Sequence, residues 1–210
     1  MAASRTHQAE ESGDMTDPDA GVPLPFRQAV TALGGAHPRP EVALSPLPAP
    51  RRLAPFAHAL GAAVVVDGDE LADGRFVLLH DPGGDASWQG EFRVVTLARA
   101  DLDPELATDP LLPEVAWSWL TEALDGRGLA HREANGTVTR AGSSFFGGLG
   151  DQPPRAELEL RASWTPGDPT EVGAHLLAWC GLLAQCAGLP PETSGPAVTA
   201  LPRRRGPRPV

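Results

Sequence analysis

The 210-residue chain has no lysine, no isoleucine and no tyrosine, and its one asparagine is Asn135. Without lysine, Schiff-base catalysis and the phosphate-gripping lysine of a P-loop are excluded. The missing residues use AT-rich codons, while Gly and Pro, at 23 each, use GC-rich ones. The skew therefore reads as a high-GC bacterial genome and says little about chemistry. Cysteine is scarce as well. Cys180 and Cys186 fall six apart in an expected helix, so their Cα atoms should lie roughly 9 Å apart, beyond disulfide reach. They are expected to be small buried hydrophobes rather than a redox pair. No stretch approaches the ~20 apolar residues of a membrane span. The N-terminal "MAASRTHQAEESGDMTDPDAG" lacks the apolar centre of a secretion signal, so a cytoplasmic location is expected.

Positive charge is in deficit. The net charge is −10 and the pI about 5.0, which disfavours general binding to phosphate backbones. The exception is "RRRGPRP", Arg203 to Pro209. It reads as a solvated tail, or as an anion-binding arm built from Arg203, Arg204, Arg205 and Arg208.

What is present suits one domain with polar ends. Residues 1–23 are polar and acidic and read as disordered, 24–191 as a single domain, and 192–210 as a disordered Pro/Arg-rich tail. A short helix is expected at Pro25–Leu33, then an edge strand at Glu41–Ser45. Arg51–Leu60 is ambiguous. Strands follow at Ala62–Val66, Arg75–His80 and Glu91–Arg99, with "DGDELADG" as the turn after the first. Leu112–Leu124 has helical spacing, with Leu112, Val115, Ala116, Trp119 and Ala123 as its stripe. Asn135-Gly136 then separates Leu129–Ala134 from Thr137–Ala141, the strongest short hairpin signal. In "AELELRASW", Ala156–Trp164, apolar residues alternate with Glu157, Glu159, Arg161 and Ser163, which gives that strand one wet face. A final helix is expected from about Thr170 to Ala187, opened by Asp168-Pro169. The fold class is thus α+β. It has two layers, with a largely antiparallel sheet of about six strands in two βββα halves. A short N-terminal helix precedes them, and the helices pack on one face.

No cofactor motif is recognised and no cofactor is expected. "HDPGGD", His80–Asp85, has the composition a turn demands. The alternative is a metal or general-base loop carried by His80, Asp81 and Asp85, although a metal site needs three or four convergent ligands. Asp101, Asp103, Glu105 and Asp109 read as helix caps rather than paired catalytic carboxylates. Ser143-Ser144 lack the glycine-flanked nucleophile elbow. Trp117 lies about 200° from Trp119 on one helix, so it either covers a neighbouring loop or presents a partner-binding anchor. Trp88 and the glycine-flanked Phe145-Phe146 complete the candidate binding set. The segment Ala174–Gly188 is apolar nearly all round. Its second face is either buried within the chain or forms a homodimer seam.

The strings "PFRQAV", "RPEV", "RLAPFAHAL", "GRFVLLHDP", "WQGEFRVVT", "DPLLPEVAWSWLTEAL" and "LRASWTP" resemble an uncharacterised actinobacterial family, the domain of unknown function numbered 3000. The resemblance spans roughly Pro25 to Leu189. It implies no activity and carries no catalytic residues. It also implies genes lying near one for a ribonuclease D-like exonuclease, hence a role in RNA metabolism. At the level of element order alone, the chain is similar to type III secretion chaperones and YbjN-type proteins, which are dimeric binders of polypeptides. The expected function is a non-catalytic binding or adaptor protein, chaperone-like in its use of protein contacts. The alternatives are a metal-dependent hydrolase at HDPGGD and an RNA-metabolism accessory protein using the arginine tail.

Overall fold

The period-two patterns of the sequence become strands of a single sheet, and the apolar helices come to rest on one side of it. The computed structural model describes residues 21–191. In chain order they form α1 (Leu24–Gly34), β1 (Val42–Leu47), β2 (Phe56–Val66), β3 (Asp69–Asp85), β4 (Gly90–Leu102), α2 (Pro104–Ala107), α3 (Leu112–Asp125), β5 (His131–Ser143), β6 (Arg155–Pro166) and α4 (Val172–Cys186). The sheet order is β1-β2-β3-β4-β6-β5, with every neighbouring pair antiparallel. The α+β class, the six strands and the N-terminal helix are as the sequence indicates.

The division into two three-strand halves does not hold, since four strands precede α3 and two follow it. The Asn135-Gly136 hairpin is the cause. Both residues lie inside the continuous strand β5, paired with Ser163 and Ala162 of β6. Gly136 is there for space rather than for a left-handed turn. A Cβ on it would sit 2.7 Å from the Trp117 ring and also against the Arg161 carbonyl. A tight turn does occur at Asp67 (φ 53°) and Gly68 (φ 95°). Positive φ at both central positions is the arrangement that matches strand twist. Strand β3 therefore begins at Asp69, so most of DGDELADG is strand. The ambiguous Arg51–Leu60 resolves at Phe56, where β2 starts.

Directly paired residues share a face, so the registers define rows across the sheet. On the covered face, one row reads Ala62, Gly74, Ala98 and Leu160. Its small residues form a trough for Trp179 of α4, and a Cβ on Gly74 would come within 2.6 Å of that indole. Phe76 packs on Trp179 at 5.8 Å and edge-on to Trp164 at 6.4 Å. Further along, Gly173 lets α4 close on α1, where a Cβ would lie 2.5 Å from the Ala32 carbonyl. With the sheet beneath it and α1 and α3 against it, α4 leaves only Ala174, Leu177, Gly181 and Gln185 half-buried. Its all-round apolar character is thus accounted for within one chain.

Helix α3 buries Leu112, Ala116, Leu120 and Leu124. The expected stripe was rotated by one position, and Val115 is 41% exposed. Asp168 starts the approach to α4 by accepting the Thr170 amide at 2.7 Å. Cys180 and Cys186 are buried with no disulfide between them, and burial pushes the Cys186 thiol up to about 12.

Trp164 donates its indole N–H to Nδ1 of the fully buried His175 at 3.2 Å. That contact fixes a neutral ring. Burial, with a smaller contribution from His131, lowers the His175 pKa from 6.5 to about 4. The unfolded chain therefore takes up a proton below pH 6.5 that the folded chain refuses until about pH 4. The group's stabilisation, roughly 3 kcal/mol, is full above pH 6.5 and is lost as pH falls through that window. Urea midpoints at pH 7 and pH 4.5 should differ markedly in the native chain, and by less in His175→Phe. A second expectation concerns the trough. Gly74→Ala forces Trp179 or β4 to shift and should cost about 2 kcal/mol, measured as a lower urea midpoint at unchanged m-value.

Candidate functional site

The polar segment His80–Asp85 is a bulged shoulder rather than the turn itself. His80 pairs with Phe92 and Asp85 with Gly90, so the chain reverses through residues 86–89. His80 is 1% exposed and lies in an aromatic box. Phe92 stacks on it at 4.2 Å, with Phe26 at 5.8 Å and Phe56 at 6.0 Å. Its Nδ1–H donates to the Glu91 carbonyl at 3.2 Å, and Nε2 is left buried without a partner. Asp81 accepts the Gly83 amide at 2.9 Å. Asp85 accepts the Ser87 amide at 2.7 Å and hydroxyl at 2.5 Å, which hold its carboxyl below the usual range. These carboxylates support backbone geometry while the imidazole is turned into the core. Among the described residues no group of three or more His, Cys, Asp and Glu side chains is placed to hold a metal ion.

The four candidate aromatics are dispersed. Trp88 is half-buried at the β3–β4 reversal, where its carbonyl accepts the Thr165 hydroxyl at 2.6 Å. Phe145 and Phe146 follow β5 at the opposite end of the sheet. Phe145 is half-buried and Phe146 is 81% exposed. Trp117 is half-buried on the helix side, over Gly136. Arg203, Arg204, Arg205 and Arg208 lie outside the described residues, as do residues 1–20.

The feature that the sequence reading passed over is the sheet face without helices. Its rows change character in steps. One reads Leu47, Ala59, Val77, Val95, Ser163 and Asn135, and the next Ser45, Gly61, Arg75, Leu97, Arg161 and Thr137. Val77, Val95 and Leu97 are half-buried on the face that the helices of the described residues leave open. They floor a groove of about 360 Å³, walled by Arg75, Arg161 and Thr137.

Beyond the arginine row comes a charge ladder. Arg99 meets Glu159 at 2.9 Å and Glu157 at 3.9 Å, and Arg161 meets Glu159 at 2.8 Å. The Arg99 hydrogen bond holds the Glu159 carboxyl below its ordinary range. A family model described as a protein of unknown function (DUF3000) matches residues 22–197. The chain belongs to the DUF3000 family. That match takes in all six strands and α1, α3 and α4, and so both faces of the DUF3000 sheet. No curated protein and no solved structure matches the chain.

One end of the DUF3000 groove is backed by a buried cation. Arg93 is 5% exposed and lies beside Ser163 and Thr165. It donates to the Ser163 hydroxyl at 2.7 Å and the Thr165 hydroxyl at 3.2 Å. Ser163 in turn donates to Asn135 Oδ1 at 3.0 Å. Burial lowers the Arg93 pKa, and the more distant Glu133 and Asp85 oppose that effect. The sequence signal for this site was the alternation in AELELRASW, which marks Glu159, Arg161 and Ser163 as facing away from the core. The matching residues Arg75, Val77, Val95 and Leu97 lie in runs that are apolar on both faces, where alternation cannot be seen.

Proposed function

We propose that this chain is a non-catalytic binding or adaptor protein that engages other polypeptides across the uncovered face of its sheet, chaperone-like in that use and acting in the cytoplasm. The observation that carries the reading is the groove itself. Three half-buried aliphatic side chains, Val77, Val95 and Leu97, lie on a rigid antiparallel floor that no helix among the described residues covers. Uncovered apolar surface with a polar rim is the usual mark of a contact site. Phe146, the most exposed large apolar side chain among the described residues, extends the same argument to one end of the sheet.

The catalytic alternative gains no support from geometry. His80 is enclosed by three aromatic rings, and Asp81 and Asp85 are occupied with turn amides. The RNA alternative is carried by the arginine tail alone. Base recognition on a sheet rests on aromatic stacking, and among the described residues the groove is lined by no aromatic side chain. A second copy of the chain is one polypeptide that this face could take. The α4 helix is already enclosed and does not call for one.

The reading is tested with tagged full-length chain and its Val95→Asp variant in native lysate, with mass spectrometry of bound protein and nucleic acid. Val95 faces away from the helices, so the variant should still fold cooperatively, with its melting midpoint lowered by only about 2 to 4 °C. A carboxylate placed in an apolar contact should weaken partner retention by about 100-fold. Equal recovery of the same partners by both proteins, or recovery of nothing above background by the native chain, would refute the reading.

A further inference from the structure

Resting on that reading, we propose that the groove selects a polypeptide segment in which an Asp or Glu side chain is flanked by aliphatic residues, its carboxylate seated between Arg75 and Arg161. The two arginines stand in one row on either side of Leu97, in direct register across β3, β4 and β6. Two strand spacings place their backbones about 10 Å apart. Long side chains can close that span on a carboxylate above the leucine.

The described residues do not supply each guanidinium with a carboxylate of its own. Arg75 is exposed and meets no carboxylate among the described residues, while Arg161 reaches Glu159 through Nε and shares that acid with Arg99. Behind them Arg93 adds a third positive charge. The hydrogen bonds it makes go to two hydroxyls rather than to an acid, and Glu133 and Asp85 act on it from farther off. The apolar end of the face therefore presents three arginine side chains, although the chain as a whole carries −10.

Two opposing effects decide whether an acidic segment is accepted. The net charge repels it at long range, yet the Debye length is about 8 Å at physiological salt. Contacts with two guanidinium groups act inside that distance, and charge-assisted bonds to a carboxylate are about twice as strong as neutral ones. The local term prevails. The other end of the face supplies direction. Glu70, Asp73, Asp101 and Glu157 gather there around Arg99, so an acidic residue is rejected at that end. The floor supplies the aliphatic preference, since it offers Val77, Val95 and Leu97 and no aromatic plane.

The test is selection of a random twelve-residue display library on the full chain, on Val95→Asp and on the double variant Arg75→Glu, Arg161→Glu, each first shown by a cooperative melt to be folded at the selection temperature. Selected peptides should carry Asp or Glu among Leu, Val and Ile, and should be lost on Val95→Asp. The double variant should select Lys or Arg at the same position. In fluorescence anisotropy, replacing the selected acid by its amide should weaken binding to the native chain about tenfold or more, and Arg75→Gln should do the same. Peptides that need Val95 but show no acidic preference would overturn this inference and leave the binding face standing. Enriched peptides indifferent to Val95→Asp, or no enrichment at all, would overturn both.

Discussion

The seating of Trp179 in the trough over Gly74 is the constraint from which the rest of this architecture follows. A large indole can approach a sheet this closely only where the strands present small side chains, and the row Ala62, Gly74, Ala98 provides that space. Once Trp179 is in place, α4 is fixed along the middle of the sheet, and Gly173 lets it close on α1. Helix α3 is set by a second contact of the same kind, Trp117 over Gly136. Tryptophan truncations in such sites cost about 3 to 5 kcal/mol, a large part of the stability of a domain this size. All three long helices are thereby committed to one side.

That commitment leaves the other side of the sheet to serve as surface. Its rows run from aliphatic, through arginine, to a mixed ladder and then to acid. The ladder is built from partly exposed ion pairs around the half-buried Glu159, which individually add little stability. Their consequence is a face with an apolar, positive end and an acidic end, on a chain whose overall charge would suggest uniform repulsion of anions. Buried polar groups on the helix side follow a different logic. His80 and His175 each make a single hydrogen bond and pack among aromatic rings, so they form part of the core.

Much of this was legible in the sequence. Periodicity placed α1, α3 and α4 within a residue or two, and the alternation of Ala156–Trp164 marked a strand with one wet face. Two readings failed for an identifiable reason. Glycine has two uses, and local sequence does not distinguish them. At Gly68 it permits positive φ in a turn, whereas at Gly136 it admits Trp117 from a distant helix. The hairpin expected at Asn135-Gly136 therefore became one strand, and the expected two halves became four strands and two. The apolar circumference of α4 was correctly seen, but whether one chain encloses it depends on where α1 and α3 pack. The groove escaped notice because Arg75 and Leu97 become neighbours of Arg161 only through pairings between strands that are distant in the chain.

The central claim is that contacts are made by the helix-free face. Its most direct test is a photocrosslinking scan in living cells, with a benzophenone side chain placed singly at Thr137 on that face and at Glu122 beside the cleft between α3 and α4. The account predicts polypeptide adducts from position 137 that vanish when Val95→Asp is added, and none from position 122. Adducts confined to position 122, or adducts at 137 that survive Val95→Asp, would contradict it.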